Sequence, residues 1–225
     1  AFAHALTRDA LYQQLHAAGR ARLHGQAARA LEARYRGSEA MLGQLAEHYV
    51  RAAPEHDAGR ALTVSVQAAR AALQRSAWEE AARHFARERG VLQLYPPAPE
   101  REMELLLEQG EALVCAGDAQ PTIELLRAAA GLARELERHE ITVRAALAMA
   151  RLPEPGTLDP LRVELIERAF AGLPARDPRR ACLQALHAKA LIFSRDRAAC
   201  TRLARRALAS ARKLEQPELR AQACA

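Results

Sequence analysis

The sequence contains no asparagine, and aromatic residues make up only 4% of its 225 residues. It also lacks stretches rich in Val, Ile and Thr that alternate with polar residues, as half-buried β-strands do. A core must therefore be built mainly from Ala and Leu. Both are strong helix formers, and Ala is small enough to let helices pack closely. These absences predict an all-α protein.

Motifs of several enzyme and membrane classes are absent as well. No apolar run approaches the roughly 18 residues that favour a transmembrane helix. The sequence has no GxxxxGK phosphate loop, no GxSxG nucleophile turn and no HExxH zinc motif. We therefore expect no catalytic site, no cofactor, no metal and no membrane span in this chain.

The four cysteines, Cys115, Cys182, Cys200 and Cys224, never occur at the CxxC spacing of zinc or redox sites. Disulfide frameworks are typical of much smaller secreted chains. We predict free thiols that pack as small apolar side chains in a reducing cytoplasm. The first residues, AFAHALTRDALY, lack the long apolar core of a signal peptide, and the missing initial Met favours a piece of a longer protein.

Short breaker segments divide the chain into helix-length pieces. Pro and Gly end one helix, and Asp or Ser caps the next, in segments such as CAGDAQP and LPARDP. The predicted helices span residues 7–16, 18–36, 39–53, 57–75, 77–94, 99–116, 119–137, 139–151, 159–173, 178–194, 197–214 and 217 onward. Short connections place successive helices antiparallel. The turn spacing indicates helix-pair units of about 40 residues, as in a stacked helical solenoid.

The only tryptophan lies in SAWEEAARHFARERG, residues 76–90. Trp78, Ala81 and Phe85 fall on one stripe of the predicted helix, with the small Ala81 between the two aromatics. A neighbouring helix can come close at that alanine. The pattern favours packing, rather than stacking on a ligand or a base, as the role of Trp78.

The same segment resembles the second helix of a tetratricopeptide repeat, where an aromatic precedes Glu-Glu-Ala and a second aromatic. GEALVCAGDAQPTIELLRAAAGLA resembles a whole repeat, with Gly110 at the small position of the first helix and Leu126 and Ala129 on the second. A further copy, AKALIFSRDRAACTRLARRALASA, carries Ala207. The repeats are divergent, because Glu88 stands at a position usually held by Ala. The resemblance implies a right-handed α-solenoid of antiparallel helix pairs.

The N-terminal segment FAHALTRDALYQQLHAAGRARLHG resembles a junction in large bacterial signal-transduction ATPases, such as LuxR-type regulators and cyclase-linked relatives. The pattern is carried by Phe2, His4, Leu6, Arg8, Leu11, Tyr12, Arg20, Leu23 and His24. The resemblance implies that residues 1–16 end a winged-helix segment or a linker helix, and that residues 17–225 form the repeat domain. It also implies a nucleotide-binding core upstream in the parent protein.

These resemblances imply a non-catalytic interaction or sensor module of a bacterial transcriptional or signalling regulator. Its partner would be a protein, a peptide or a small inducer, bound on a concave face made by the first helix of each pair. The positions that face this groove in the family's register are Arg70, Gln74, Glu111, Lys189 and Phe193. Charged groups on an otherwise apolar concave face supply specificity.

Arginine dominates the charge of the chain. The formal net charge is +6, and all but two of the 33 cationic residues are arginine. The predicted helix 197–214 is largely cationic on one half and apolar on the other. This half-face supports an alternative function, a helical repeat that binds nucleic acid through Arg-rich helix faces. A solvated outer face explains the same pattern, and the lack of interleaved aromatics argues against base stacking.

Overall fold

The computed structural model is helical in every regular element that it describes. It covers residues 5–35, 37–54, 58–152, 156–194 and 196–212. The chain divides into two compact units, Ala1–Ala98 and Pro99–Ala225. Several predicted features lie outside the described residues, namely Phe2, His4, Lys213 and the helix from residue 217.

The first unit is a row of helices that pack against their neighbours along the chain. Its described helices are α1 (Ala5–Gln14), α2 (Ala17–Arg34), α3 (Leu42–Ala52), α4 (Ala58–Gln74) and α5 (Trp78–Leu92), with a 3-10 turn at Glu39–Met41. From α2 to α5, each helix packs on the next. Their shared core is dominated by small side chains, among them Ala28, Ala46, Ala61, Val64 and Ala68. Side chains this small let the helix backbones approach closely.

The second unit repeats the arrangement with a larger apolar core. Its described helices are α6 (Pro99–Ala116), α7 (Ala119–Glu135), α8 (His139–Met149), α9 (Pro160–Ala171), α10 (Arg179–Ala190) and α11 (Arg197–Ala211). Successive helices pack together, and α6 and α10 also touch α8, as expected when helix pairs stack. Leu107, Leu126 and Leu183 are fully buried. Burying one such side chain stabilises the fold by about 1.5–3 kcal/mol.

The predicted all-α architecture of short-linked helix pairs is confirmed. The pairs α4–α5, α6–α7 and α10–α11 correspond to the helices predicted at 57–75 and 77–94, at 99–116 and 119–137, and at 178–194 and 197–214. One helix end was predicted wrongly. The helix expected at 178–194 ends at Ala190, and residues 191–194 form turns. No Gly or Pro lies between Ala190 and the start of α11, so the sequence carries no signal for this end.

Three of the helices end just before a residue with a left-handed backbone conformation. Ser76, Gly117 and Glu137 have φ angles of 58°, 82° and 56°. In each case the next amide donates back to a carbonyl five residues earlier, at 2.9, 3.1 and 2.7 Å. This is the Schellman arrangement, in which a left-handed residue lets the chain satisfy the last helical carbonyls. It turns the chain sharply enough for the following helix to run back along the previous one.

Candidate interaction surfaces

An exposed polar stripe runs along α4, the first helix of its pair. Its members are spaced by four, three and four residues, which places them on one side of the helix: Thr63, Gln67, Arg70 and Gln74. We call this set the α4 stripe. Val64, Ala68 and Ala72, which lie between its members in the sequence, are buried. Two of the five groove positions predicted from sequence, Arg70 and Gln74, therefore lie together on one exposed surface.

The third predicted groove residue, Glu111, is engaged within the fold. Arg144 on α8 donates to both of its carboxylate oxygens on α6, with Nε–Oε1 at 3.2 Å and Nη2–Oε2 at 2.7 Å. One helical turn further along α6, the Cys115 sulfur lies 3.5 Å from Nη2 of Arg151, which lies just after the end of α8. Both contacts tie neighbouring first helices together. Glu111 is thus already paired with Arg144 within the fold.

Lys189 and Phe193 lie at the far end of α10. Lys189 is exposed in its last turn. Phe193 was predicted on a helix, but it lies in the turn after α10 and is 48% exposed, next to Ile192 at 57%. A helix that stops at Ala190 cannot place Lys189 and Phe193 on a common helical stripe. Lys189 and Phe193 are therefore exposed at the end of α10 and in the turn after it, and they do not extend a groove along the helix.

The residues predicted to pack are mostly buried. Ala81 and Phe85 are 0% and 3% exposed, whereas Trp78, at the first position of α5, is only half-buried. The fully buried Leu126 approaches Gly110 so closely that a Cβ added to Gly110 would lie 2.7 Å from its Cδ2 atom. The remaining members of this group, Ala129 and Ala207, are 0% and 2% exposed. Glu88, which the repeat pattern does not favour, is buried at 2%.

Three arginines in the first turns of helices bind the end of the preceding helix. Arg20 donates to a carbonyl just after α1 at 2.8 Å. Arg162, itself only 5% exposed, donates to the carbonyl of Met149 at the end of α8 at 2.7 Å. Arg180 donates to the carbonyl of Phe170 at 3.0 Å and lies 3.7 Å above its ring. Helix-end carbonyls need such donors, so part of the arginine content is structural.

A tyrosine and two histidines join α1, α2 and α3. The Tyr12 hydroxyl lies 2.9 Å from Nε2 of His24, and Nδ1 of His24 lies 2.9 Å from Nδ1 of His48. One nitrogen of the His24–His48 contact must donate and the other accept, so the pair shares a single proton there. Burial lowers the pKa of both imidazoles, and Arg51 lowers them further, while Glu47 opposes this.

Sequence reasoning found part of this cluster. Tyr12, Arg20 and His24 belong to the N-terminal pattern, and the Arg20 guanidinium lies 5.6 Å from the centre of the Tyr12 ring. The contact of His48 with His24 was not predicted, because His48 lies 24 residues beyond His24 and is brought to it by the packing of α2 against α3.

One helix face carries positive charge without neutralising partners. On α11 and at its end, five arginines are exposed: Arg197, Arg202, Arg205, Arg206 and Arg212. The apolar half of the helix is turned inward, with Ala207 and Ala211 buried. Among the described residues, no carboxylate forms an ion pair with any of these arginines. The predicted cationic half-face is therefore exposed, although Lys213, which was also assigned to it, lies outside the described residues.

The described part of the chain shows neither a metal-ligand cluster nor a membrane-spanning helix. Three or more His, Cys, Asp or Glu side chains nowhere converge there as metal ligands would. None of the described helices combines the length and the apolar character needed to cross a membrane. Cys182 is buried and Cys115 and Cys200 are half-buried, and these three described cysteines form no disulfide with one another.

The comparison with solved structures identifies the type of fold. The chain is similar to a crystal structure of a Podospora anserina putative kinesin light chain with nearly identical TPR-like repeats. The TM-score is 0.55 at 20% sequence identity, over 89% of this chain and 98% of that chain. No family model and no curated protein matches the sequence. The antiparallel helix pairs seen here and this similarity together show that the chain has the TPR-like helical-repeat fold.

Proposed function

We propose that this chain is a non-catalytic helical-repeat module that binds a protein or peptide through the exposed side of its first helices. Folds of this type generally mediate protein–protein interaction. The observation that carries the proposal is the α4 stripe. Four polar side chains in a row face solvent there, and the opposite side of α4 consists of small buried residues.

The chemistry of the α4 stripe suits a peptide ligand. Gln67 and Gln74 each offer a carbonyl acceptor and two amide donors, which match the groups of a peptide backbone. Between them, Arg70 offers a guanidinium that forms no ion pair with any described residue. It can therefore bind a carboxylate through two parallel hydrogen bonds without first breaking another pair. We expect the bound segment to carry an acidic residue or a free C-terminus opposite Arg70.

The parent protein is proposed to be a multidomain bacterial regulator in which this module is a sensor or scaffold arm. What supports this is the N-terminal pattern, whose residues Tyr12, Arg20 and His24 cluster where α1 meets α2. Such a cluster would hold a preceding domain in a fixed direction relative to the repeats. Sequencing upstream of Ala1 tests the idea. A nucleotide-binding core with a phosphate loop is expected there, and an unrelated domain would contradict it.

A peptide-display selection tests the binding proposal directly. Peptides enriched on the wild-type chain are measured again with the Arg70→Ala, Gln74→Ala double variant. The matched control is Arg83→Ala, Arg134→Ala, which removes two exposed arginines from second helices. We expect the α4-stripe variant to lose at least about tenfold in affinity, which corresponds to 1.4 kcal/mol, and the control to bind normally. Equal binding by all three proteins would refute the assignment.

A small-molecule inducer in place of a peptide is distinguishable by thermal shift. A ligand that binds the folded state raises the melting temperature by mass action. If a metabolite raises the melting temperature of the wild-type chain and of the control but not of the α4-stripe variant, the same surface binds a small inducer. If the shift is unchanged in the α4-stripe variant, the ligand binds elsewhere.

A further inference from the structure

The largest local excess of positive charge in the chain lies in its last described helix pair. Residues 178–212 contain nine Arg or Lys residues and a single acidic residue, Asp196, a net charge of +8. Since the whole chain has a formal net charge of +6, the remaining residues are net negative by two. Genome composition would spread arginine along the chain without regard to its acidic partners. The local excess therefore needs another explanation.

The arginines of this segment differ in their surroundings. Those of α10 serve the fold. Arg179 is paired with Asp177 at 2.9 Å, and Arg180 donates to the end of α9. On α11, Asp196 caps the helix by accepting from the amide of Ala199 at 2.8 Å. The five exposed arginines defined above form no ion pair with any described carboxylate.

The spacing of these arginines is unfavourable for an isolated helix. Arg202 and Arg206 are four residues apart, and Arg205 and Arg206 are adjacent. Like charges four residues apart repel each other by a few tenths of a kcal/mol. An anionic partner would neutralise these charges and attract the guanidinium groups. At 1.5 Å per residue, the face from Arg197 to Arg212 extends over about 22 Å, which is long enough for several phosphates of one strand.

The residues between the arginines indicate the kind of polyanion. The side chains exposed among them are small, namely Ala198, Thr201, Ala204 and Ala209, so a backbone can approach the helix closely. Leu208, 43% exposed, is the one large apolar side chain exposed on the described part of α11. A base-reading surface would require aromatics, and α11 contains none.

We propose that the exposed face of α11 binds the sugar–phosphate backbone of nucleic acid without reading its bases. Guanidinium groups bind phosphate oxygens in pairs of parallel hydrogen bonds, which suits a face made of arginine rather than lysine. This surface is separate from the α4 stripe, and the inference does not depend on the proposed peptide function.

The test is fluorescence anisotropy with a labelled duplex DNA and a labelled single strand, both of mixed sequence. If about four phosphates are contacted, affinity should fall on the order of 10²-fold between 50 and 200 mM salt. Changing the sequence at constant length should leave the affinity within about twofold, because backbone contacts carry no sequence information. Binding that is insensitive to salt, or that depends strongly on sequence, would overturn the proposal.

Matched variants separate a local face from net charge alone. Arg202→Gln with Arg205→Gln should weaken DNA binding at least about tenfold and flatten the salt dependence, since each lost phosphate contact lowers the slope by about one. Arg83→Gln with Arg134→Gln removes the same charge from exposed positions elsewhere and should leave binding nearly unchanged. Circular dichroism confirms that both variants remain helical. An equal loss of DNA affinity in the two variants would show that net charge alone causes the binding, and would refute the assignment to the α11 face.

A polyglutamate peptide is the competing polyanion. If it binds more tightly than DNA of similar charge, and Arg202→Gln with Arg205→Gln abolishes that binding, the face serves an acidic protein and the nucleic-acid proposal is wrong. If neither probe binds at low salt, the arginines are a solvated outer surface and the proposal is equally refuted.

Discussion

Replacing Gly110 with alanine should destabilise the protein, although the same change normally stabilises a helix. Gly110 lies within α6 and is buried against α7. A Cβ atom at this position would lie 2.7 Å from Cδ2 and 3.0 Å from Cγ of Leu126, a side chain that is 0% exposed. Because Cγ is affected as well as the terminal methyl group, a rotation about χ2 alone cannot relieve the contact.

The magnitude follows from two opposing effects. Glycine in a helix interior costs about 1 kcal/mol relative to alanine, which favours the substitution. Overpacking a close-packed core costs about 1–3 kcal/mol, which opposes it. Gly131 in α7 provides the matched control, since a Cβ there meets nothing within 4 Å. Gly131→Ala should stabilise by about 1 kcal/mol, so the two variants should differ by about 1–3 kcal/mol.

Urea unfolding of both variants measures this difference as a change in midpoint at constant slope. The double variant Gly110→Ala, Leu126→Ala adds a coupling test. Truncating Leu126 removes the atoms that the new methyl group would meet, so the two changes should be non-additive by at least about 0.5 kcal/mol. If Gly110→Ala stabilises the protein as much as Gly131→Ala, the close approach of α6 and α7 described here is wrong.

Three further predictions follow from burial and hydrogen bonding. Phe85→Ala should lower the free energy of unfolding by about 3–5 kcal/mol. Trp78→Ala should lower it by less, because Trp78 is only half-buried. A larger loss for Trp78→Ala than for Phe85→Ala in urea unfolding would contradict the packing. Arg162→Met should lower the free energy of unfolding by about 2–4 kcal/mol, because buried helix-end carbonyls lose their hydrogen-bond donor. Arg162→Lys should retain part of this stability. Stability should fall as the pH drops below 6.5, because the unfolded chain binds protons more readily than the folded chain does at His24 and His48, whose pKa values burial lowers. The double variant His24→Gln, His48→Gln should show a flatter pH profile, and an unchanged profile would refute this cause.

Much of the fold could be predicted because several helix ends are marked by recognisable residues nearby in the sequence. Gly117 permits the left-handed turn after α6, and Asp159 and Asp196 cap α9 and α11 with their side chains. These are local interactions with recognisable residue types. The end of α10 was predicted wrongly because its turn contains no such residue. Ile192 and Phe193 continue an apolar pattern there, yet both are exposed.

The candidate surfaces were predictable only in part, since they depend on contacts between distant residues. Periodicity placed Arg70 and Gln74 on one side of α4, and it placed the arginines of α11 on one half of that helix. It could not reveal that Glu111 is bound by Arg144, which lies 33 residues away and on another helix. The role of Arg162 at the end of α8 was hidden for the same reason. Side-chain partners across helices follow from packing, not from spacing.

Hydrogen–deuterium exchange with a peptide selected on the wild-type chain tests the central claim most directly. Binding along the α4 stripe should slow exchange in residues 58–74, because a ligand that stabilises this helix suppresses its local opening. Residues 197–211, which form α11, should be unaffected by the peptide. Protection confined to α11, or no protection at a saturating peptide concentration, would contradict the assignment of the first-helix surface as the binding site.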